Sequence, residues 1–191
     1  RTFLGQGIDF AASMKRGQEV FMDKWNGKPG GNGHNVLSSE SLEVGRQRFA
    51  EGKVPEAAAA FRVALHFDPS NAAIWNDLAC AHAAAGDMRE AERCLRKSEL
   101  LSDGEESAVA SRNLGALYVQ QQRWLDAIAS YEAALTKAFD LDTLVALSDC
   151  YLRMGAAESS ILGFRKALEL APDHFQARAG LAAAERLAGR R

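Results

Sequence analysis

The sequence predicts an all-α protein, an array of one small helix-turn-helix unit, and three observations carry that expectation. Ala57, Ala91, Ala127 and Ser160 recur at steps of 34, 36 and 33 residues. Each is followed four residues later by a large apolar residue, Phe61, Leu95, Tyr131 and Phe164, and preceded five residues earlier by Gly52, Gly86, Gln122 and Gly155. The composition supplies the core such an array needs, since 47% of the 191 residues are hydrophobic and only four are proline. A period of about 34 residues with this internal pattern reads as stacked helix pairs that share a continuous core with their neighbours.

In the first unit Val44 and Gly45 belong to a first helix, Gly52 to the turn, and Ala57, Phe61, Ala64 and Leu65 to a second helix that must end near Pro69. The second unit places Trp75, Leu78 and Ala79 on one helical face with His82 further along it, and Gly86 where that helix stops. Asp87 opens the partner helix, in which Ala91 and Leu95 face back. The third unit gives Leu114, Gly115, Tyr118, Trp124, Ala127, Tyr131, Ala134 and Leu135. The fourth gives Leu147, Ser148, Tyr151, Gly155, Ser160, Phe164, Ala167 and Leu168, and closes at Pro172. In every unit the small residue sets the distance between the helices and the large one fills the space beside it. On this pattern Trp75 is expected to be a core aromatic between repeats. Residues 174 to 188 read as one more first helix, with Leu181 and Ala182 in register, covering the last apolar face.

The Trp75, Leu78, Ala79, Gly86, Ala91, Leu95 series and its counterparts resemble the tetratricopeptide repeat over residues 38 to 191, roughly four fifths of the chain. The resemblance implies repeats at about 38–71, 72–107, 108–140 and 141–174, with a capping helix at 175–188. The sequence departs from the pattern at Ser41, at Gln122 in place of the turn glycine, at Ser160 in place of alanine, and in a two-residue insertion around Leu101 to Glu106. The family fold is a right-handed superhelix, an α-solenoid whose first helices line a concave groove that takes peptides or helices. Carrying over the groove positions gives Leu42, Arg46 and Phe49 in the first unit and Asn76, Asp77 and Cys80 in the second. The third contributes Arg112, Asn113 and Ala116, and the fourth Val145 and Asp149. This lining is small and apolar with isolated charges, which suits an amphipathic helix or an extended apolar segment. Asn113 alone matches the asparagines and cations with which some members grip a C-terminal carboxylate, and Asp77 stands where an asparagine would be needed.

Ahead of the repeats, Phe10, Met14, Phe21 and Trp25 fall along one face of an amphipathic segment at 1–27, with Asp9 as N-cap. A glycine-rich linker follows at 28–37. Three readings of the segment stand: a cap on the first repeat, a helix lying in the groove of its own or a neighbouring molecule, or a partner sequence joined through the linker.

The formal net charge is −2, with 23 basic and 25 acidic residues interspersed, which gives no drive toward nucleic acid or an anionic membrane. No apolar run approaches the roughly 20 residues of a membrane-spanning helix. Three cysteines with no close pair, Cys80, Cys94 and Cys150, read as reduced and mostly buried thiols, consistent with the cytoplasm. His34, His66, His82 and His174 are scattered without metal-ligand spacing; His82 is expected as a structural histidine, and His66 and His174 as exposed residues at repeat junctions. Glu105–Glu106 and Asp140–Asp142 lie in connections, and no nucleophile, base and oxyanion site assembles. The expected function is therefore a non-catalytic protein-interaction module, a scaffold, adaptor or chaperone, needing no cofactor or metal and suited to a bacterial secretion or assembly system. The alternatives are the recognition domain of a larger enzyme such as a transferase, and a self-assembling homo-oligomeric scaffold.

Overall fold

The computed structural model describes residues 32 to 189. Among them are nine α-helices and no strand: α1 Asn32–Ala50, α2 Val54–Phe67, α3 Ala72–Ala84, α4 Met88–Leu101, α5 Gly104–Gln120, α6 Trp124–Lys137, α7 Leu141–Arg153, α8 Ala157–Leu170 and α9 Phe175–Ala188. The chain is an all-α helical repeat of the solenoid type, and it divides into two compact units, one ending at Cys94 and the other beginning at Leu95. The segment carrying Phe10, Met14, Phe21 and Trp25 lies outside the described residues. The glycine-rich segment was expected to run to residue 37, but α1 starts at Asn32. Its early register is fixed by Ser38, which is buried and donates its hydroxyl to the Ala64 carbonyl of α2.

In the first unit α1 packs on α2 and α2 on α3. Ala57, Phe61 and Ala64 of α2 are fully or nearly fully buried, as are Ile74, Leu78 and Ala79 of α3. Gly45 of α1 is where the approach is closest: a Cβ there would run into the Phe61 ring. Trp75 is not the core aromatic that the pattern implies. It is half-buried, its indole Nε1 donates to the Pro69 carbonyl at 2.9 Å, and Ile74 takes the interior position instead. His82 is buried with its Nε2 3.5 Å from Arg62 and its Nδ1 3.4 Å from Asp87, which makes it a structural histidine.

In the second unit α5 packs on α6, α7 on both α6 and α8, and α9 on α8 and α7. The approach is again closest at a glycine. A Cβ at Gly115 would lie 2.6 Å from two Tyr131 ring carbons, so the ring occupies the volume that any side chain would claim. In the α7–α8 pair Ser148 stands in the equivalent position, and the partner helix gives way: Gly163 of α8 faces Ser148, and a Cβ there would meet the Ser148 hydroxyl. Ser160 is fully buried and donates to the Ser148 carbonyl at 2.9 Å, so the serine that replaces alanine is satisfied across the helix pair. Pro69 and Pro172 follow the last residues of α2 and α8, Phe67 and Leu170, by two positions, as their lack of an N–H and their clash with the preceding turn require.

The connections carry the remaining departures. Gly52, Gly86 and Gly155 close their turns at φ of 75°, 83° and 77°, and Gln122 does the same at φ 58° without glycine's freedom. The insertion around residues 101 to 106 extends α5 to 17 residues, against 13 for α3 and α7. That longer helix is tied down by a polar clasp. Lys137 Nζ of α6 donates to Glu99 Oε1 at 2.8 Å and to the Ser107 and Ser111 hydroxyls at 2.9 Å each, using all three of its protons. Burial pushes the Glu99 carboxyl up, but the hydrogen bonds from Lys137 and Ser111 and the charge of Lys137 outweigh it and hold the group below its ordinary value.

Three stability changes follow. Gly115→Ala is expected to lower unfolding free energy by about 2 kcal/mol through overpacking against Tyr131, and Gln122→Gly to raise it by about 0.5–1 kcal/mol by removing left-handed strain. Both are read from the midpoint of urea unfolding. Lys137→Met is expected to cost about 1 kcal/mol at neutral pH, a modest figure because both head groups keep some water. Since the folded Glu99 value is depressed, its contribution is complete above the unfolded carboxyl value and is lost as pH falls through the lower folded one. Urea titrations at pH 7 and pH 3 should therefore show a gap between wild type and variant that narrows in acid.

Candidate functional site

Two surfaces carry the residues expected in the groove. In the first unit they lie on α1 and α3, and an ion pair joins those two helices directly: Arg46 Nε donates to Asp77 Oδ2 at 2.7 Å. Arg46 is exposed and Asp77 half-buried, so the pair sits at the surface of the seam between them. Leu42, Asn76 and Cys80 are half-buried, and Phe49 keeps 36% of its surface in solvent. The result is a mixed lining of one exposed aromatic, one aliphatic, one amide, one thiol and a neutralised charge pair.

Burial pushes the Cys80 thiol up, and the neighbouring Asp77 carboxylate adds to that, which favours the protonated, weakly polar form of the sulfur. Beside Leu42 an open cavity of about 240 Å³ is lined by Ser38, Ser39, Leu42, Asp68 and Asn71. Sequence reasoning did not single out these polar residues. Their signal is the helix start, because Asn71 is the N-cap of α3, its Oδ1 accepting from the Ile74 N–H at 3.3 Å, and Asp68 accepts from Ser70 and Asn71 side chains in the same turn.

In the second unit the expected residues lie on α5 and α7. Arg112 reaches from α5 to the start of α7, its NH1 3.4 Å from Asp140 Oδ2. Asp140 is the N-cap of α7, accepting from the Thr143 N–H at 2.9 Å and from the Thr143 hydroxyl at 2.5 Å. The Thr143 hydroxyl is the main influence holding the Asp140 carboxyl below its usual value; burial opposes it, and the Thr143 N–H and Arg112 add to the lowering. Asn113 is half-buried and Ala116 exposed on the same helix. On α7, Asp149 Oδ2 accepts from Arg153 Nε at 2.6 Å, and the Arg153 guanidinium lies 5.5 Å from the centroid of the Trp124 ring.

Val145 does not belong to this surface. It is only 7% exposed and packs in the core with Leu144, Phe164, Ala167, Ala177 and Ala184, because α9 adds a layer over the face from which Val145 projects. Leu152 packs against the same core, and Ala146 is half-buried on α7. His174 also departs from its expected exposed place: it is half-buried and caps α9. Cys94 and Cys150 are buried free thiols, each pushed up to about 11 by burial. No cluster of three or more metal-ligating side chains occurs among the described residues, and no described helix is long and apolar enough to cross a membrane.

Both surfaces hold cations that are already engaged by carboxylates of the same face. Such pairs fix the rotamers of long side chains at the surface while contributing little net stability. They present planar guanidinium and carboxylate edges in defined places, which suits orientation of a bound polypeptide more than capture of a strongly charged group.

The comparisons with known proteins agree with this architecture. Family models, each described as a tetratricopeptide repeat, match residues 48–111, 110–142 and 141–174. No curated protein matches the chain. Among solved structures, the crystal structure of MamA protein aligns with a TM-score of 0.72 at 20% identity, covering 81% of this chain and 84% of that one. A tetratricopeptide repeat protein from Parabacteroides merdae aligns with a TM-score of 0.73 at 19% identity, covering 81% of this chain and 61% of its own. YrrB, described as a TPR protein with an unusual peptide-binding site, aligns with a TM-score of 0.68 at 14% identity, covering 96% and 85%. At these identities the likeness carries the fold and not the roles of those proteins. With consecutive repeat matches from residue 48 to 174 and helix pairs that close on the expected small and large residues, the chain belongs to the tetratricopeptide repeat family.

Proposed function

We propose that the chain is a protein-interaction module whose first helices hold a peptide or an amphipathic helix. Leu42, Phe49, Asp77 and Cys80 serve as contact residues in the first unit, and Arg112, Asn113, Ala116 and Asp149 in the second. The observation that carries this reading is the Arg46–Asp77 pair at 2.7 Å, which brings two successive first helices together at a face where Phe49 remains accessible. An exposed aromatic beside an ordered charge pair is the mixture expected of an anchor site with polar orientation. Family membership supports a protein-interaction role, and the peptide-binding site of YrrB supports a peptide as one class of ligand. A place in a secretion or assembly system and a chaperone role rest on fold analogy, and a cytoplasmic location on the reading of Cys80, Cys94 and Cys150 as reduced thiols.

The site is tested with a photo-crosslinking amino acid placed in turn at Leu42 and Ala116, and for comparison at Leu125 and Leu162, both 70% exposed. In cells of the source organism, crosslinks to a polypeptide are expected from Leu42 and Ala116 and not from the other two. Crosslinking from Leu125 and Leu162 alone would place binding on another face. The Arg112→Ala, Asn113→Ala double variant is expected to weaken capture about tenfold, the loss of roughly 1.4 kcal/mol, with helical content unchanged by circular dichroism. Undiminished capture would remove those two residues from the site.

A further inference from the structure

Four helices start after a second helix, and the three of them that carry a side-chain cap, α3, α7 and α9, use chemically different groups at equivalent places. Asn71 caps α3 through an amide oxygen, Asp140 caps α7 through a carboxylate oxygen, and His174 caps α9 through a ring nitrogen, with the Ala177 N–H 3.2 Å from His174 Nδ1. Amide and carboxylate oxygens accept at any pH near neutrality. A ring nitrogen accepts only while it holds a lone pair.

The contacts of the ring assign its tautomer. Nδ1 faces a donor and must be unprotonated, so the proton of the neutral ring sits on Nε2, which lies 3.4 Å from Asp142 Oδ1 on α7. One neutral imidazole thus satisfies the first turn of α9 and ties it to α7. The ring is well covered, with 17% of the side chain exposed, whereas the Asp142 side chain is 82% exposed.

We propose that His174 is a pH-sensitive cap, holding the first turn of α9 as a neutral imidazole and releasing it on protonation. A proton on Nδ1 points at the Ala177 N–H, so an acceptor becomes a second donor, and a positive charge is placed at the positive end of the helix dipole. The charged groups around the ring are Asp142 of α7, Asp173 in the preceding turn and Arg178 of α9 itself, whose NH2 is 2.8 Å from Asp173 Oδ1. Asp173 is already engaged, and Asp142 stands largely in water, so its attraction for an imidazolium is screened. The cap requires the lone pair on Nδ1, so it is available to the neutral ring and denied to the protonated one. What it controls is a cover: α9 supplies Ala177 and Ala184 to the core with Leu144, Val145, Phe164 and Ala167, and its Gly180 lies against the Phe164 ring.

Hydrogen exchange of the full chain, corrected for the intrinsic pH dependence of exchange, tests this together with ¹⁵N shifts of the imidazole. Between pH 8 and pH 5, protection of the Ala177 amide and its first-turn neighbours should fall on the order of fivefold, the effect of losing one cap, while the Thr143 amide at the Asp140 cap should not change. His174→Asn, which installs the cap that α3 uses, should keep the helix and abolish the fall. Asp142→Asn should retain it. An Nδ1-protonated ring at pH 8, an undiminished fall in His174→Asn, or loss of the response in Asp142→Asn would each overturn the proposal.

Discussion

The structure depends on how closely two helices approach within each pair. Gly45 against Phe61 and Gly115 against Tyr131 leave no volume for a Cβ, so the aromatic ring itself sets the interaxial distance. Where the first helix brings Ser148 instead of glycine, the second answers with Gly163, and the approach is preserved by moving the missing side chain to the other partner. Close packing makes this reciprocity necessary, because an interior without voids has no room for an uncompensated methyl group. Everything else in a unit follows from the distance so set: which residues face inward, where the turn must reverse, and which residues of the first helix remain on the open face.

Polar chemistry is confined to places where that packing leaves backbone groups or long side chains in need of partners. Lys137 spends its three protons on Glu99, Ser107 and Ser111 at the one connection the insertion lengthens. The Ser160 hydroxyl donates to the Ser148 carbonyl in the interior of the fourth pair, and the Ser148 hydroxyl to the Leu144 carbonyl, so a polar replacement for alanine is tolerated without an orphaned hydroxyl. Helix starts are closed by Asn71, Asp140 and His174, and the last of these couples a covering helix to protonation in our reading.

The candidate interaction faces inherit the same economy. Their charges occur as pairs, Arg46 with Asp77, Arg112 with Asp140 and Arg153 with Asp149, so neither unit presents a concentrated field of one sign. Partner choice on such a face would rest on shape and apolar contact at residues such as Phe49 and Ala116, with the pairs giving direction. This agrees with a near-balanced composition of 23 basic and 25 acidic residues.

The period of the sequence determined the helix pairs, the small and large residues that close them and the family, because these are repeated local patterns whose spacing survives in a single chain. It also gave the expected groove positions, since register along a helix decides which residues share a face. Tertiary structure decided the rest. Trp75 and Ile74 are adjacent in sequence and both apolar, and only the position of α2 determines that the isoleucine goes inside. Val145 has the helical register of a groove residue, yet α9 covers it, and that layer arises from a contact between elements thirty residues apart. The pairing of Arg46 with Asp77 and of His174 with Asp142 likewise depends on which helix ends meet in space. Periodicity reports the face a residue occupies on its own helix; what lies opposite that face is settled by packing.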